Sequence, residues 1–158
     1  MFSVEKIAAA YDRAPLFQLS AYASYQSLAK DSLALALRAQ RRLKVVLTSS
    51  EEPYSNAADM FADIENRRRL YVSSAHCEHP VFTTDESIAF RIVHDYYGHY
   101  MARSGFDWVG EREACKAHSA YVSPEAFPAF FTECYGQAAF RVVNGYLTAQ
   151  KACFLDIL

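Results

Sequence analysis

The chain has 158 residues, of which 52% are hydrophobic and 22% are charged, a composition typical of a globular domain and not of a disordered chain. The formal net charge of -2 argues against a protein that binds nucleic acid through its overall charge. No apolar run reaches the length of a membrane span, and the N-terminal segment lacks the pattern of a signal peptide. We therefore expect a cytoplasmic protein with no membrane or nucleic-acid partner.

Helical patterns dominate the N-terminal half of the chain. Residues 2–12 predict a short helix that ends before Pro15. From Ser20 to about Leu47, alanine and leucine recur at helical spacing, which predicts a long helix capped by Ser20. Asn56 is then placed to cap a further helix.

The C-terminal half alternates loops with further helices. β-branched residues over 70–73 predict a short strand followed by a loop. Helices are predicted from about Glu86 to Arg103, over 111–122, from Ser123 to Asn144 with Gly145 at its end, and over 146–158. The fold class is mainly α, a compact helical fold with one short strand or hairpin. We expect a single domain over 1–158, with N-terminal helices in 1–75 and a metal-site half in 76–158.

Four cysteines and two basic clusters are spread along the sequence. The cysteines are Cys77, Cys115, Cys134 and Cys153. They form no C-x-x-C pair, and their wide spacing predicts reduced, intracellular thiols. The basic clusters, over 38–44 and 66–70, are interpreted as solvated faces, because most runs of charge are.

The segment RIVHDYYGHYM, over 91–101, holds the pattern that points most directly to chemistry. It combines His94, Asp95 and His99, and histidine is the commonest metal ligand. An α-helix turns about 100° per residue, so a spacing of five separates the two histidines by about 140°. They can therefore share one metal only if the helix is distorted between them, and Gly98 tolerates such a distortion.

Glu133 is our candidate for the third ligand. It lies in the apolar stretch AFPAFFTECYGQAAF, where a carboxylate is costly unless it is paired or binds a cation. The structural alternative is an ion pair with Arg141 or with an arginine from another helix. Two histidines and a carboxylate form the facial triad of non-haem Fe(II) oxygenases, and zinc uses the same ligands. The types of ligand alone therefore do not distinguish an iron site from a zinc site.

The remaining histidines and two glutamates receive different interpretations. His118 is a candidate catalytic residue, with roles as ligand, orienting group or substrate contact left open. Glu111 and Glu113 are explained as acidic residues in the first turn of a helix. His76 and His79 lack a carboxylate at matching spacing, so we do not expect them to bind metal.

The segments HDYYGH and, some thirty residues later, TECYG resemble the iron site of the pterin-dependent aromatic amino-acid hydroxylases. The matching residues are His94, Asp95, Gly98, His99, Thr132, Glu133 and Gly136. This resemblance covers roughly 79–140 and implies a mainly α, hydroxylase-like fold, with Fe(II) held by His94, His99 and Glu133. It also implies dioxygen chemistry, a tetrahydropterin cofactor near Asp95, and an aromatic small-molecule substrate.

A longer stretch, over 90–155, is similar to a domain found in bacteriophage proteins. The shared segments are H-D-x-x-G-H, G-E-x-x-A-x-x-x-H and T-E-x-x-G-Q. This resemblance singles out four residues for testing: His118, Tyr121, Gln137 and Lys151. It implies a phage origin and action in the host cytoplasm.

Three functions are consistent with these patterns. The first is a non-haem Fe(II) oxygenase-like enzyme in which Asp95 positions a cosubstrate or a metal-bound water. The second is a zinc hydrolase with the same ligands and Asp95 or His118 as base. The third is a non-catalytic phage binding protein with a structural metal or a polar core of histidine and glutamate. Its partner surface would consist of Arg41, Arg42, Arg67, Arg68 and Arg69.

Overall fold

Helices make up most of the structure, a computed structural model that describes residues 2–157. The α-helices in that range are α1 (Val4–Arg13), α2 (Tyr22–Gln40), α3 (Ala57–Arg67), α4 (Thr84–Val93), α5 (Trp108–Ser119), α6 (Phe127–Phe131) and α7 (Gln137–Asn144). Two π-helical segments are inserted among them, the first π-helix (His94–Tyr100) after α4 and the second π-helix (Thr132–Gly136) between α6 and α7. Two short strands, β1 (Lys44–Thr48) and β2 (Arg69–Ser73), pair in parallel. The prediction of a mainly α fold is confirmed.

Side chains at the helix ends explain where several helices begin and stop. The Asn56 side chain accepts a hydrogen bond of 2.8 Å from the backbone N–H of Asp59, which caps α3 as predicted. Thr83 and Glu86 form a reciprocal capping box at the start of α4. Gly145 follows α7 with a left-handed φ of 79°, a conformation that glycine adopts at little cost.

The predicted long helix ends earlier than expected. It was extended to Leu47 on the basis of apolar spacing, but α2 stops at Gln40 and β1 follows. Val45 and Val46 are β-branched and favour a strand. Since α3 connects β1 to β2, the two strands run parallel and form a β–α–β unit, not a hairpin.

The predicted helix over 146–158 is wrong for the part of it that the structure describes. Between 146 and 157 the chain has no helix, and Leu158 lies outside the described residues. Backbone hydrogen bonds instead attach Ala152 to the segment around Phe17. The buried Lys151 ammonium donates to carbonyl groups at the end of α1, those of Tyr11, Asp12 and Ala14. These tertiary contacts outweigh the local helical pattern.

Helix α2 lies between two apolar clusters. One cluster fills the space between α2, α3, α4, β2 and the first π-helix. The other lies between α2, α6, the second π-helix and the C-terminal segment. Helix α5 packs against the first π-helix. The two apolar clusters therefore help to position the elements that carry the side chains able to bind a metal.

Candidate metal centre

The first π-helix explains how two histidines five residues apart reach one point. Hydrogen bonds in a π-helix join residues five apart, which brings His94 and His99 to the same side. Their rings meet edge to face with centroids 4.8 Å apart. Gly98 lets this segment approach α5, since a Cβ at that position would lie 3.0 Å from the Ala114 carbonyl oxygen. The distortion predicted between the histidines is therefore present.

Glu111, on α5, supplies the carboxylate beside these histidines. Its Oε2 lies 3.3 Å from His94 Nε2 and 3.4 Å from His99 Nε2. Metal–ligand bonds of about 2.1 Å around a tetrahedral ion place neighbouring donor atoms about 3.4 Å apart. The two carboxylate–imidazole separations therefore match those around a shared ion, and all three donor atoms lie within 4.8 Å of one another. The sequence had explained Glu111 as an ordinary acidic residue of the first turn of its helix.

The two histidines stabilise the charged form of the Glu111 carboxylate. Burial opposes ionisation of Glu111, yet hydrogen bonds from His94 and His99 outweigh it and lower its pKa to about 2. Burial alone would lower the pKa of His99, but the hydrogen bond to Glu111 raises it. His99 Nδ1 lies 3.2 Å from the Ser104 carbonyl oxygen, which only accepts hydrogen bonds. A cation that binds here must displace the proton on His99 Nε2, and the contact with Ser104 then keeps the remaining ring proton on Nδ1.

Glu133 occupies a separate polar site. Its Oε1 lies 2.7 Å from His79 Nε2, and its Oε2 accepts a 2.6 Å hydrogen bond from the Gln137 amide. His79 Nδ1 accepts from the backbone N–H groups of Val81 and Phe82, at 3.0 and 2.9 Å. Nε2 therefore carries the ring proton and donates to Glu133. Both carboxylate oxygens have partners on this side of the cavity.

The carboxylate that lies beside the two histidines is therefore Glu111 and not Glu133. Within residues 2–157, the groups whose donor atoms converge contain Glu111 and not Glu133. Metal binding by Glu133 stays a prediction without support from this geometry. The alternative ion pair with Arg141 is also not formed, since Arg141 binds Glu52 at 2.7 Å. The sequence had correctly required a partner for a buried carboxylate, but it missed His79.

His118 is buried, with 1% of its surface exposed, and its ring lies 5.7 Å from that of His94. Among the described residues, its Nδ1 has no hydrogen-bond partner. Burial and the nearby His94 lower its pKa well below the usual value, so the ring is neutral. Donor atoms of His94, His118 and Cys134 lie within 4.8 Å of one another.

Asp95 lies beside the centre but outside the converging donor groups of the described chain. Its partly buried side chain lines the cavity that also exposes His94 and His99. Burial raises the pKa of Asp95 to about 6, although the two neighbouring histidines act in the opposite direction. This placement suits a group that contacts a bound molecule more than a metal ligand.

One cavity of about 1350 Å³ connects these groups. Its wall includes the proposed ligands His94, His99 and Glu111 together with Asp95 and Glu133. Aromatic side chains complete it, among them Tyr54, Tyr71, Phe82, Phe90 and Phe106. A cavity with apolar rings and a few polar groups at one point is the usual form of a small-molecule site.

Two of the predicted reduced cysteines are joined. Cys115 on α5 and Cys134 on the second π-helix form a disulfide, with Cα atoms 6.0 Å apart. Across the described residues, Cys77 and Cys153 are buried and unbonded. Wide spacing along the sequence was a poor guide, because helix packing brings the two chain segments together.

The residues singled out by the phage resemblance lie in different surroundings. His118 is beside the candidate centre, and Gln137 holds Glu133. Lys151 binds the end of α1. Tyr121 packs its half-exposed ring against Tyr97, with centroids 4.7 Å apart.

The two basic clusters meet at one edge of the sheet. Arg41, Arg42, Lys44 and Arg68 line the same shallow depression. Arg67 and Arg69 differ from them, because both bind the buried Asp63 carboxylate. The sequence had grouped these cations together. Within the described residues, those that line the depression form no ion pair with a carboxylate, whereas Arg67 and Arg69 do.

Comparison with family models, with curated proteins and with solved structures returned no match for this chain. Among the described residues, no helix has the length and apolar character needed to cross a bilayer.

Proposed function

We propose that this chain is a metal-dependent enzyme of the non-haem Fe(II) oxygenase type, with His94, His99 and Glu111 as ligands. The observation that carries the proposal is the convergence of two imidazole nitrogens and one carboxylate oxygen at the wall of a large cavity. Two histidines and one carboxylate are the donor set of the facial triad, which leaves positions for other molecules.

The surroundings of the three residues support metal binding. Glu111 is held ionised, and once a cation displaces the Nε2 proton of His99, the remaining ring proton points to Ser104 and away from the centre. A carboxylate and two imidazole nitrogens together suit a divalent cation of borderline softness. Fe(II) at this position would supply dioxygen activation.

The cavity walls support an apolar or aromatic substrate. The Phe90 ring is parallel to that of His94, and Phe106 meets His99 edge to face at 5.0 Å. These rings exclude water from one side of the centre and offer contact area to an aromatic molecule. Asp95 faces the same cavity and is placed to accept a hydrogen bond from a cosubstrate such as a tetrahydropterin.

Metal content is the test of this proposal. The protein is purified anaerobically, incubated with Fe(II), and compared with Glu111→Ala and His99→Ala. We expect close to one iron per chain in the parent and a loss in both variants. Glu113→Ala, on the exposed side of the same helix, is the matched control and should retain iron.

Glu133→Gln distinguishes the proposed ligand set from the one implied by the hydroxylase resemblance. It should retain iron, because Glu133 is bound to His79 and Gln137. Iron that is lost in Glu133→Gln and kept in Glu111→Ala would reject our assignment. A parent protein that takes up no metal would reject the enzyme and leave a buried polar network in a binding protein.

The distances also favour a second candidate, a zinc hydrolase with the same ligands. Separations of 3.3 and 3.4 Å match a tetrahedral ion, whose donor atoms lie about 3.4 Å apart. Zinc at three protein ligands binds a water and lowers its pKa. Preference for zinc over iron, with no oxygen consumption by the iron-loaded protein, would favour this function.

A further inference from the structure

The His94 ring has candidate ligands at both of its nitrogens. Nε2 faces Glu111, at 3.3 Å from Oε2. On the opposite side, Nδ1 lies 3.5 Å from Cys134 Sγ. The proposed centre uses only the first of these two nitrogens.

His118 brings a third possible donor close to His94 and Cys134. Donor atoms of His94, His118 and Cys134 lie within 4.8 Å of one another. His118 is 1% exposed, and its Nδ1 has no partner within the described chain. A buried nitrogen without a partner loses its interaction with water and gains nothing in return. This is an observation independent of the cysteine, and a bound cation would account for the buried imidazole.

The spacing matches that expected for a thiolate site. A zinc–nitrogen bond of about 2.05 Å and a zinc–sulfur bond of about 2.3 Å at a tetrahedral angle place the two atoms about 3.6 Å apart. The observed separation between His94 Nδ1 and Cys134 Sγ is 3.5 Å. Two imidazoles and a thiolate favour zinc and other thiophilic ions over iron and magnesium.

The disulfide determines whether this site exists. Cys134 is bonded to Cys115, so its sulfur is not a thiolate. A dithiol reductant transfers two electrons and two protons to the disulfide, giving two thiols and becoming oxidised to its own disulfide. Metal binding then displaces the proton of Cys134.

We propose that reduction of the Cys115–Cys134 disulfide opens a second metal site, formed by His94, His118 and Cys134 and selective for Zn²⁺. It rests on the proposed function only in sharing His94, whose two nitrogens would each serve one site. Filling both sites would release the ring proton of His94 to solvent in addition to the proton of Cys134. The metal load of the protein thereby depends on its redox state.

Cobalt(II) is the probe for this site, because a cobalt–thiolate bond absorbs in the near ultraviolet whereas nitrogen and oxygen ligands do not. Oxidised parent protein should bind cobalt without this absorption. Protein reduced by a phosphine, which is then removed, should gain the absorption and about one further cobalt per chain. Cys115→Ser should show both without any reductant, since its Cys134 has no partner thiol.

Control variants separate the two centres. Reduced Cys134→Ser should lose the thiolate absorption, whereas Cys77→Ser, which alters another buried thiol, should keep it. Glu111→Ala should lose the first ion and retain the thiolate absorption. Loss of the ion held by Glu111 and loss of the thiolate absorption can thus be observed independently, so the two proposals can fail separately.

Two results would overturn the proposal. One is a Cys115→Ser protein, folded by circular dichroism, that binds cobalt without thiolate absorption. The other is reduced Cys134→Ser that retains the absorption. Should Cys115→Ser not fold, reduced parent protein answers the same question, and absence of the absorption there would also reject the site.

Discussion

Asp63 is a buried carboxylate that joins the end of α3 to β2. It accepts hydrogen bonds from Tyr54 Oη at 2.8 Å and from the Arg69 guanidinium at 2.8 and 3.1 Å. A weaker contact of 3.3 Å comes from Arg67. Burial opposes the charge of Asp63, but these donors outweigh it and lower its pKa.

We expect the hydrogen-bonded Asp63 carboxylate to make a pH-dependent contribution to the free energy of unfolding. Because the folded pKa lies below the unfolded value of about 3.9, the contribution is complete above that value and is lost as pH falls through the folded pKa. Asp63→Asn should lower the free energy of unfolding by about 2 kcal/mol at pH 7. Urea denaturation at pH 7 and pH 3 measures this, and the difference between parent and variant should shrink at pH 3.

The control for Asp63 is Asp59→Asn, whose exposed side chain lies on the same helix. It should change the free energy of unfolding by less than about 0.5 kcal/mol. An equal loss of stability for Asp63→Asn at both pH values would mean that packing, and not the charge, explains the effect.

At the scale of single residues, the candidate centre contains two histidines that the sequence had singled out and a carboxylate that it had not. His94 and His99 were recognised by type and spacing. Glu133 was correctly expected to be paired, but the pair is with His79, 54 residues away. Glu111 was overlooked because an acid at a helix start has an ordinary explanation. The available signal was its seven-residue spacing from His118, which places both on one face of α5.

At the scale of elements, the contact between the first π-helix and α5 determines the separations within the candidate centre. Gly98 lies at this contact, where an added Cβ would be 3.0 Å from the Ala114 carbonyl oxygen. The backbone of one element must shift by a few tenths of an ångström to admit a methyl group. His99 on one side and Glu111 on the other would then move apart.

Gly98→Ala should therefore weaken metal binding and reduce stability by about 1 kcal/mol. Isothermal titration with Zn²⁺ and urea denaturation measure the two effects. Gly105→Ala is the matched control, because a Cβ there meets its nearest atom at 3.8 Å. Unchanged zinc affinity in Gly98→Ala would show that the centre does not depend on this close approach.

At the scale of the whole molecule, Lys151 attaches the C-terminal segment to the first helix. Its Nζ donates to the carbonyl oxygens of Tyr11, Asp12 and Ala14 at 2.6, 2.8 and 2.7 Å. These acceptors belong to the end of α1, where carbonyl groups lack helical partners. The second apolar cluster lies behind this contact and includes Ala152.

Lys151→Met should lower the free energy of unfolding by about 3 kcal/mol, because it keeps the apolar stem but leaves buried carbonyls without donors. Chemical denaturation measures the loss. Lys116→Met on the exposed face of α5 is the control and should be nearly neutral. A neutral result for Lys151→Met would mean that water replaces the ammonium at these carbonyls.

The sequence by itself determined most helices, because helix formation depends on neighbouring residues through propensity, apolar spacing and caps such as Asn56 and Gly145. It also determined that two histidines five apart need a distorted helix. Only the tertiary structure decided that β1 pairs with β2, that the C-terminal segment is not a helix, and that Cys115 meets Cys134. It likewise brought Glu111 to the histidines. These outcomes depend on contacts between distant parts of the chain, which local patterns do not specify.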